Sequence, residues 1–110
     1  MNINVKVDIK PLSVNQIWQG RRFKTGAYKV FEQEMLLRLP KKKRIDGQVA
    51  VNLTFALQKP NNCDLDNFIK PILDIITKKG YIYDDRRVYL LQAQKVLGKE
   101  NNIKIEIMQL

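Results

Sequence analysis

The chain has 110 residues and a mass of 12.9 kDa, the size of a single domain, because typical domains contain roughly 100 to 150 residues. Its hydrophobic share of 45% and charged share of 28% are those of an ordinary globular chain and argue against a disordered or fibrous protein. Twenty Lys and Arg against eleven Asp and Glu give a net charge of +9. We therefore expect a polyanionic partner, nucleic acid first and an anionic membrane surface second.

Two residue types are informative through their scarcity. The chain contains no histidine, which excludes Ser-His-Asp and Cys-His nucleophile systems and the common histidine-containing zinc sites. Cys63 is the single cysteine, so neither an intramolecular disulfide nor a multi-thiolate metal site can form. The sequence has no apolar run long enough for a signal peptide or a membrane span. We expect a cytoplasmic protein with no membrane association.

The first half of the chain predicts one strand and one helix. Residues 3–9 alternate apolar and polar side chains, which is typical of a half-buried strand, and Pro11 ends it. Residues 11–26 are irregular and predict a loop. Residues 27–39 place apolar side chains on one helical face, and Pro40 closes that helix.

The second half predicts a strand, a helix and two more strands. Residues 47–59 alternate again, as expected for a central strand, and residues 65–80 have helical spacing up to a terminal glycine. Residues 88–96 suggest a third strand, residues 98–102 a hairpin-like turn, and residues 103–107 a strongly alternating last strand.

These elements predict an α+β fold with the order β-α-β-α-β-β, in which two helices pack on one face of a mixed sheet. Residues 1–110 form one domain in this interpretation. Pro71 lies inside the second predicted helix, where a proline removes a hydrogen bond and clashes with the carbonyl four residues back. We therefore expect a separate first turn or a bend, with Lys70 pushed toward extended geometry.

The excess charge is concentrated in residues 21–44, which carry nine basic and two acidic side chains, a net +7. One interpretation is a solvated loop flanking a helix, and the other is a surface that contacts phosphates. For the second interpretation, the predicted DNA-binding residues are Arg21, Arg22, Lys24, Lys41, Lys42, Lys43 and Arg44.

Acidic residues gather where the central strand ends and the second helix begins. Asp64 can cap the helix and Asp66 can favour the positive end of its dipole, which would be purely structural roles. However, Lys70 follows Asp66 by four residues, on the same helical face, and Asp84 and Asp85 come soon after the helix. If Asp64, Asp66 and Asp85 converge, their mutual repulsion implies a divalent cation or raised pKa values.

Oxygen-only ligands point to Mg²⁺, with Mn²⁺ as a substitute. An EF-hand is a poor alternative, because the sixth position counted from Asp64 is Ile69 where that loop requires glycine. Carboxylate-held Mg²⁺ in a basic domain suits phosphodiester hydrolysis, since the metal activates water and stabilises the leaving oxygen. Lys70 can stabilise charge on the phosphorane.

One block of the sequence consists of Asp64-Leu-Asp-Asn, Lys70, Leu73-Asp74, Thr77-Lys78, Gly80 and Asp84-Asp85. In order and spacing it resembles the core motif of the RusA family of Holliday-junction resolvases. The segment from Pro11 to Trp18 resembles that family's N-terminal motif. The resemblance implies a homodimeric, Mg²⁺-dependent endonuclease, without an organic cofactor, that cuts four-way DNA junctions symmetrically. It assigns metal binding to Asp64, Asp66 and Asp85, catalysis to Lys70 and an accessory role to Asp84.

Two alternatives to the nuclease interpretation are open. A non-catalytic basic nucleic-acid-binding module predicts that the acids are scattered caps and turn residues, and that Mg²⁺ changes nothing. An enzyme acting on small nucleotides is less favoured, because the five glycines are dispersed and no phosphate-binding loop motif occurs.

Overall fold

The computed structural model of the chain describes residues 1–12, 18–19, 23–24 and 26–110. Their strands and helices follow the order predicted from the sequence, with a short two-stranded ribbon between the first strand and the first helix. The elements are β1 (Asn2–Val7), β2 (Trp18–Gln19), β3 (Phe23–Lys24), α1 (Gly26–Arg38), β4 (Val49–Leu57), α2 (Asp66–Lys79), β5 (Val88–Leu97) and β6 (Asn102–Gln109). The prediction of a β-α-β-α-β-β domain is confirmed.

Four of the strands form one mixed sheet in the order β1-β6-β4-β5. β6 is antiparallel to both of its neighbours, β1 and β4, whereas β4 and β5 are parallel. A parallel pair requires the chain to return to the starting end of the sheet between the two strands. The helix α2 makes that return, so its position follows from the pairing of β4 with β5.

Both helices pack against the same face of the sheet, as predicted. Alternate residues of β4 point to this face, from Val49 to Leu57, and all are fully or almost fully buried. α1 adds Phe31 and Met35 to the core, and α2 adds four side chains at helical spacing: Phe68, Ile72, Ile75 and Ile76. The single core explains why α2 is fixed in place, since burial of apolar area contributes about 25 cal/mol per Å².

The prediction of a hairpin at residues 98–102 is wrong, because β5 and β6 lie on opposite sides of β4. The connection passes around the end of β4, where the amide of Gly98 donates to the carbonyl of Leu57 (2.9 Å) and the amide of Gln58 donates to the side chain of Asn101 (3.0 Å). β6 carries three fully buried isoleucines, which favour a central position between two strands. β5 is largely exposed and forms an edge.

The expected break at Pro71 does not occur. α2 is continuous from Asp66 to Lys79, with Pro71 buried inside it and Lys70 in helical conformation. The first amides after the turn, those of Asn67 and Phe68, bond to carbonyls three residues back instead of four. This tighter first turn lies directly before Pro71. The hydrogen bond that Pro71 cannot donate therefore falls within the first two turns, where the helix is already irregular.

At the other end of α2, Gly80 adopts the left-handed conformation with φ of 86°, and its amide bonds to the last turn of the helix. This confirms the predicted C-terminal stop, since a residue without Cβ tolerates that conformation. No helix in the described segments combines the length and the apolar character needed to cross a bilayer.

Candidate active site

The segment before α2 does not use Asp64 as a helix cap. The capping position is occupied by Leu65, in helical conformation and without a side-chain capping bond. Asp64 contributes only its backbone carbonyl, which accepts from the amide of Asn67 (3.2 Å). Asp66 is the first residue of the helix, where a carboxylate is stabilised by the helix dipole. The capping interpretation of Asp64 is therefore wrong, and the dipole interpretation of Asp66 is compatible with the structure.

The turn that leads to Asp64 is held against the sheet by Lys95. This lysine lies on β5 opposite Phe55 of β4, on the face covered by the helices. Its ammonium group donates to the carbonyl oxygens of Pro60 (2.7 Å) and Cys63 (2.6 Å). A charged donor between two turn carbonyls satisfies backbone groups that no regular element pairs. Lys95 thereby ties the residue preceding Asp64 to the edge strand.

Lys70 connects α2 with the turn that precedes β5. Its Nζ lies 2.7 Å from Oδ2 of Asp85 and 3.0 Å from Oδ1 of Asp74, which is one helical turn further along α2. The hydrogen bonds with Asp85 and then with Asp74 raise the pKa of Lys70 above its ordinary value of 10.5, although desolvation opposes them. Lys70 is therefore a cation throughout the neutral range, held between two carboxylates.

The turn that carries Asp84 and Asp85 is built by short-range hydrogen bonds. Residues Asp85–Arg87 form a single 3₁₀ turn, and the side chain of Asp84 accepts from the amide of Arg86 (2.9 Å). That hydrogen bond, more than any other contact, lowers the pKa of Asp84 below its ordinary value of 3.8. Asp84 thus has a capping role at this turn, while the neighbouring Asp85 points to Lys70.

Lys70 and Asp85 are brought together by the fold, whereas Asp64 and Asp66 stand apart from them. In residues 26–110 no three acidic or cysteine side chains lie close enough to hold a metal ion. The side chains of Asp64 and Asp66 are exposed and make no hydrogen bond or ion pair with the rest of the described chain. Asp66 precedes Lys70 by one helical turn and shares its face. The assignment of Asp64, Asp66 and Asp85 as metal ligands stays a prediction.

The chemistry of these donors nevertheless fits a hard divalent cation. Every candidate is a carboxylate, which is the ligand type that Mg²⁺ prefers, and each exposed aspartate has unused acceptor capacity. The carboxylate of Asp85 can accept a further partner while it is paired with Lys70, because an ionised carboxylate accepts several hydrogen bonds or ligands.

The basic segment reaches the candidate site from the other side of the chain. The amide of Ile45 donates to the carbonyl of Tyr81 (2.9 Å), and Ile45 forms a parallel bridge with Ile82. Because the bridge is parallel, residues 41–44 approach it from the same end as the C-terminal residues of α2 and Tyr81, and Asp84 and Asp85 follow on the other side of the bridge. Lys41, Lys42 and Lys43 are exposed, and Arg44 pairs with Asp46 at 2.8 Å. The predicted contacts Arg21, Arg22 and the side chain of Lys24 lie outside the described residues.

Comparison with known proteins bears directly on this arrangement. The family model Endodeoxyribonuclease RusA matches residues 13–108. The chain belongs to the RusA family. The match contains every predicted site residue, from the basic segment to Asp85, and it confirms the family resemblance inferred from the motif. The RusA family is named for an endodeoxyribonuclease, an enzyme that cuts within DNA strands.

A relative in Lactococcus phage r1t, described as a crossover junction endodeoxyribonuclease rusA, is 41% identical to the chain over 51 residues. The matched segment covers 46% of this chain and 39% of the phage protein. The similarity is thus strong but confined to less than half of either RusA protein.

Sequence reasoning missed the structural partners of two site residues. Asp74 was part of the motif but received no role, although its spacing of four from Lys70 signals an ion pair on one helical face. Lys95 also received no role. The available signal was its position in a strand, between Ala93 and Leu97, on the side that faces the helices.

The exposed setting of Lys70 predicts that it matters little for stability. Its side chain is 59% exposed, and exposed ion pairs contribute about 0 to 1 kcal/mol. Lys70→Met should therefore lower the free energy of unfolding, measured in urea, by less than about 1 kcal/mol. Lys78→Met is the matched control, because Lys78 pairs at 2.7 Å with the mostly buried Glu32. That change should cost about 1 to 3 kcal/mol. A loss for Lys70→Met as large as that expected for Lys78→Met would mean that Lys70 is a structural residue.

Proposed function

We propose that the chain is a Mg²⁺-dependent endonuclease that resolves four-way DNA junctions by paired, symmetric phosphodiester cleavage. The observation that carries the proposal is the ion pair of Lys70 with Asp85 across two chain segments, within a RusA family match. The printed name of the phage relative refers to the same activity. A lysine held by two carboxylates at an exposed helix face is a costly arrangement for a plain DNA-coating protein, because those acids repel the DNA backbone.

The proposed metal ligands are Asp64, Asp66 and Asp85, with Asp84 as an accessory acid. A bound Mg²⁺, or Mn²⁺ in its place, would activate water and stabilise charge on the phosphoryl group. Asp64 and Asp66 carry exposed carboxylates at the start of α2. Lys95 fixes the turn before Asp64 through its backbone, so Asp64 needs little further ordering when it binds a cation.

The proposed role of Lys70 is to stabilise negative charge as the phosphate is attacked. The raised pKa keeps its ammonium group protonated, so it acts as a fixed positive charge and hydrogen-bond donor and not as a base. Asp74 retains Lys70 on its own helix by a 3.0 Å contact. The lysine therefore stays near the cleavage point even when Asp85 turns to another partner.

The proposed DNA-binding surface includes the exposed lysines Lys41, Lys42 and Lys43. These lysines precede Ile45, whose parallel bridge with Ile82 joins the basic loop to the segment between α2 and the Asp84–Asp85 turn. DNA phosphates attracted by this charge are held near the candidate catalytic groups, and junction recognition rests on backbone charge and shape. A DNA substrate and the free thiol of Cys63 suit the reducing cytoplasm.

We also propose that the active form is a homodimer. A four-way junction has approximate two-fold symmetry, and two incisions at equivalent positions require two sites related in the same way. A sedimentation experiment should give twice the chain mass of 12.9 kDa. A single-chain mass at every protein concentration, together with one chain per junction in the complex with DNA, would contradict the dimer.

Cleavage of a synthetic four-way junction separates the nuclease from a non-catalytic module. With Mg²⁺, the protein should nick two opposing strands symmetrically. Asp66→Asn should reduce the cleavage rate by roughly 100-fold or more, because even outer-shell partners of metals cost 10- to 100-fold. Binding of the junction in a chelator should persist.

The matched control is Asp8→Asn, which removes an equal charge from an exposed aspartate near Lys6. This control should cut at the normal rate. If the Asp66→Asn variant cleaved at the rate of the unmodified protein, Asp66 would not be a metal ligand of the active site. An unmodified protein that binds DNA but never cuts it would favour the module.

The basic loop predicts a specific change in salt dependence. Replacing Lys41, Lys42 and Lys43 with Ser should flatten the plot of log affinity for the junction against log salt by up to roughly 3 units, since each phosphate contact adds about 0.9. The control replaces Lys6, Lys99 and Lys104, which are exposed elsewhere, and it should change the slope less. If the two triple variants had equal slopes of log affinity against log salt, the loop would contribute to binding only through the net charge of the protein.

A further inference from the structure

An exposed aromatic ring with two arginines lies immediately before the Asp84–Asp85 turn. Tyr83 is 56% exposed. The guanidinium carbon of Arg44 lies 5.3 Å from the centroid of its ring, and that of Arg87 lies 5.3 Å from the same centroid. Both distances are within the range of about 6 Å for attraction between a cation and an aromatic ring. The two arginines come from separate segments of the chain and both lie against the ring of Tyr83.

The backbone under this cluster is rigidly anchored. Ile45 and Ile82, which form the bridge between the two segments, are 0% and 1% exposed. Tyr81 is fully buried, and its hydroxyl donates to the carbonyl of Pro40. Arg44 and Tyr83 are the neighbours of these buried residues. Their side chains therefore start from fixed positions, although they are themselves exposed.

The charges of the cluster are not balanced. Arg44 pairs with Asp46 at 2.8 Å, and the neighbouring Arg86 lies 3.5 Å from Asp84. Arg87 forms no ion pair with any residue in the described segments. Two guanidinium groups beside one ring repel each other, and an anion placed between them relieves that repulsion. Guanidinium groups match the oxygens of phosphate in geometry as well as in charge.

We propose that Arg44 and Arg87, oriented by Tyr83, form a binding site for a phosphodiester group of the DNA strand next to the cleavage point. This inference rests on the proposed nuclease function and extends it to residues that the catalytic motif does not include. Tyr83 is a positioning residue here, because its ring orders the two arginine side chains before DNA arrives. Ordering them in advance lowers the conformational entropy lost on binding.

The Arg44–Arg87 site differs from the loop of Lys41, Lys42 and Lys43. Those lysines are point charges on flexible side chains and attract any nearby phosphate. The arginines instead meet at one ring, that of Tyr83, which lies two residues before Asp85 in the chain. A phosphate bound there therefore fixes the register of the DNA strand along the site.

Junction binding in a chelator tests the role of Tyr83 without requiring cleavage. Tyr83→Leu should weaken binding of a four-way junction about 3- to 10-fold, since an exposed cation and ring pair contributes modestly and two are lost. Tyr83→Phe keeps the ring and should restore the affinity. The control is Tyr89→Leu, because Tyr89 is a similarly exposed tyrosine (65%) without a guanidinium neighbour among the described residues. It should bind normally.

A combined variant distinguishes a phosphate from a nucleobase as the ligand. Arg44→Met with Arg87→Met should reduce the slope of log affinity against log salt by about 2, because two phosphate contacts are lost. Adding Tyr83→Leu to that pair should cause no further loss if the ring acts through the arginines. A further loss of affinity would indicate that Tyr83 stacks on a base and would overturn the proposal.

The outcomes also separate this inference from the proposed nuclease. An unmodified protein that binds neither junction nor duplex would contradict the proposed function itself. Normal binding by the unmodified protein, Tyr83→Leu and the arginine pair alike would contradict only the phosphate site.

Discussion

The parallel pairing of β4 with β5 is the constraint on which the arrangement of the site depends. Because β5 runs in the same direction as β4, the chain between them must cross back over the sheet, and α2 is that crossing. The acids before β5 are consequently returned to the flank of α2. Lys70 and Asp85, fifteen residues apart in sequence, meet at 2.7 Å. An antiparallel pair joined by a tight hairpin would leave no helix to carry Lys70.

The site combines a rigid base with exposed, charged side chains. Ile75, Ile76 and Ile82 are almost completely buried, so the backbone of α2 and of the turn after it is held by the core. The charged groups face solvent, where the proposed DNA substrate can reach them. This division suits an electrostatic function, because oriented charges stabilise a reacting phosphate most when they need no rearrangement. It also explains why the acids contribute little to the core, which in the described chain contains no buried charged residue.

Periodicity in the sequence predicted the elements well because most of them have one buried face. β4 and α2 follow their apolar patterns closely, and Gly80 stops the helix as expected. The strand pairing after residues 98–102 was not predictable, because a local turn pattern does not determine which strands β6 pairs with. The sequence also predicted a break of α2 at Pro71 that does not occur, and the cause is local, the tightened first turn of α2. The motif predicted Lys70 and Asp85 as site residues, but only the fold shows that they touch, since contacts across separate segments leave no period in the sequence.

The two hydrogen bonds of Lys95 have a consequence for which substitutions the turn before Asp64 tolerates. Its two acceptors are main-chain carbonyls, those of Pro60 and Cys63, and every amino acid supplies a carbonyl. The side chains between them can therefore be exchanged without loosening the turn that carries Asp64. Asn61 and Asn62 are both exposed at this turn. The fold thus separates a turn that is held through its backbone from the side chains of Asn61 and Asn62, which take no part in the hydrogen bonds of Lys95 and can change without releasing the turn.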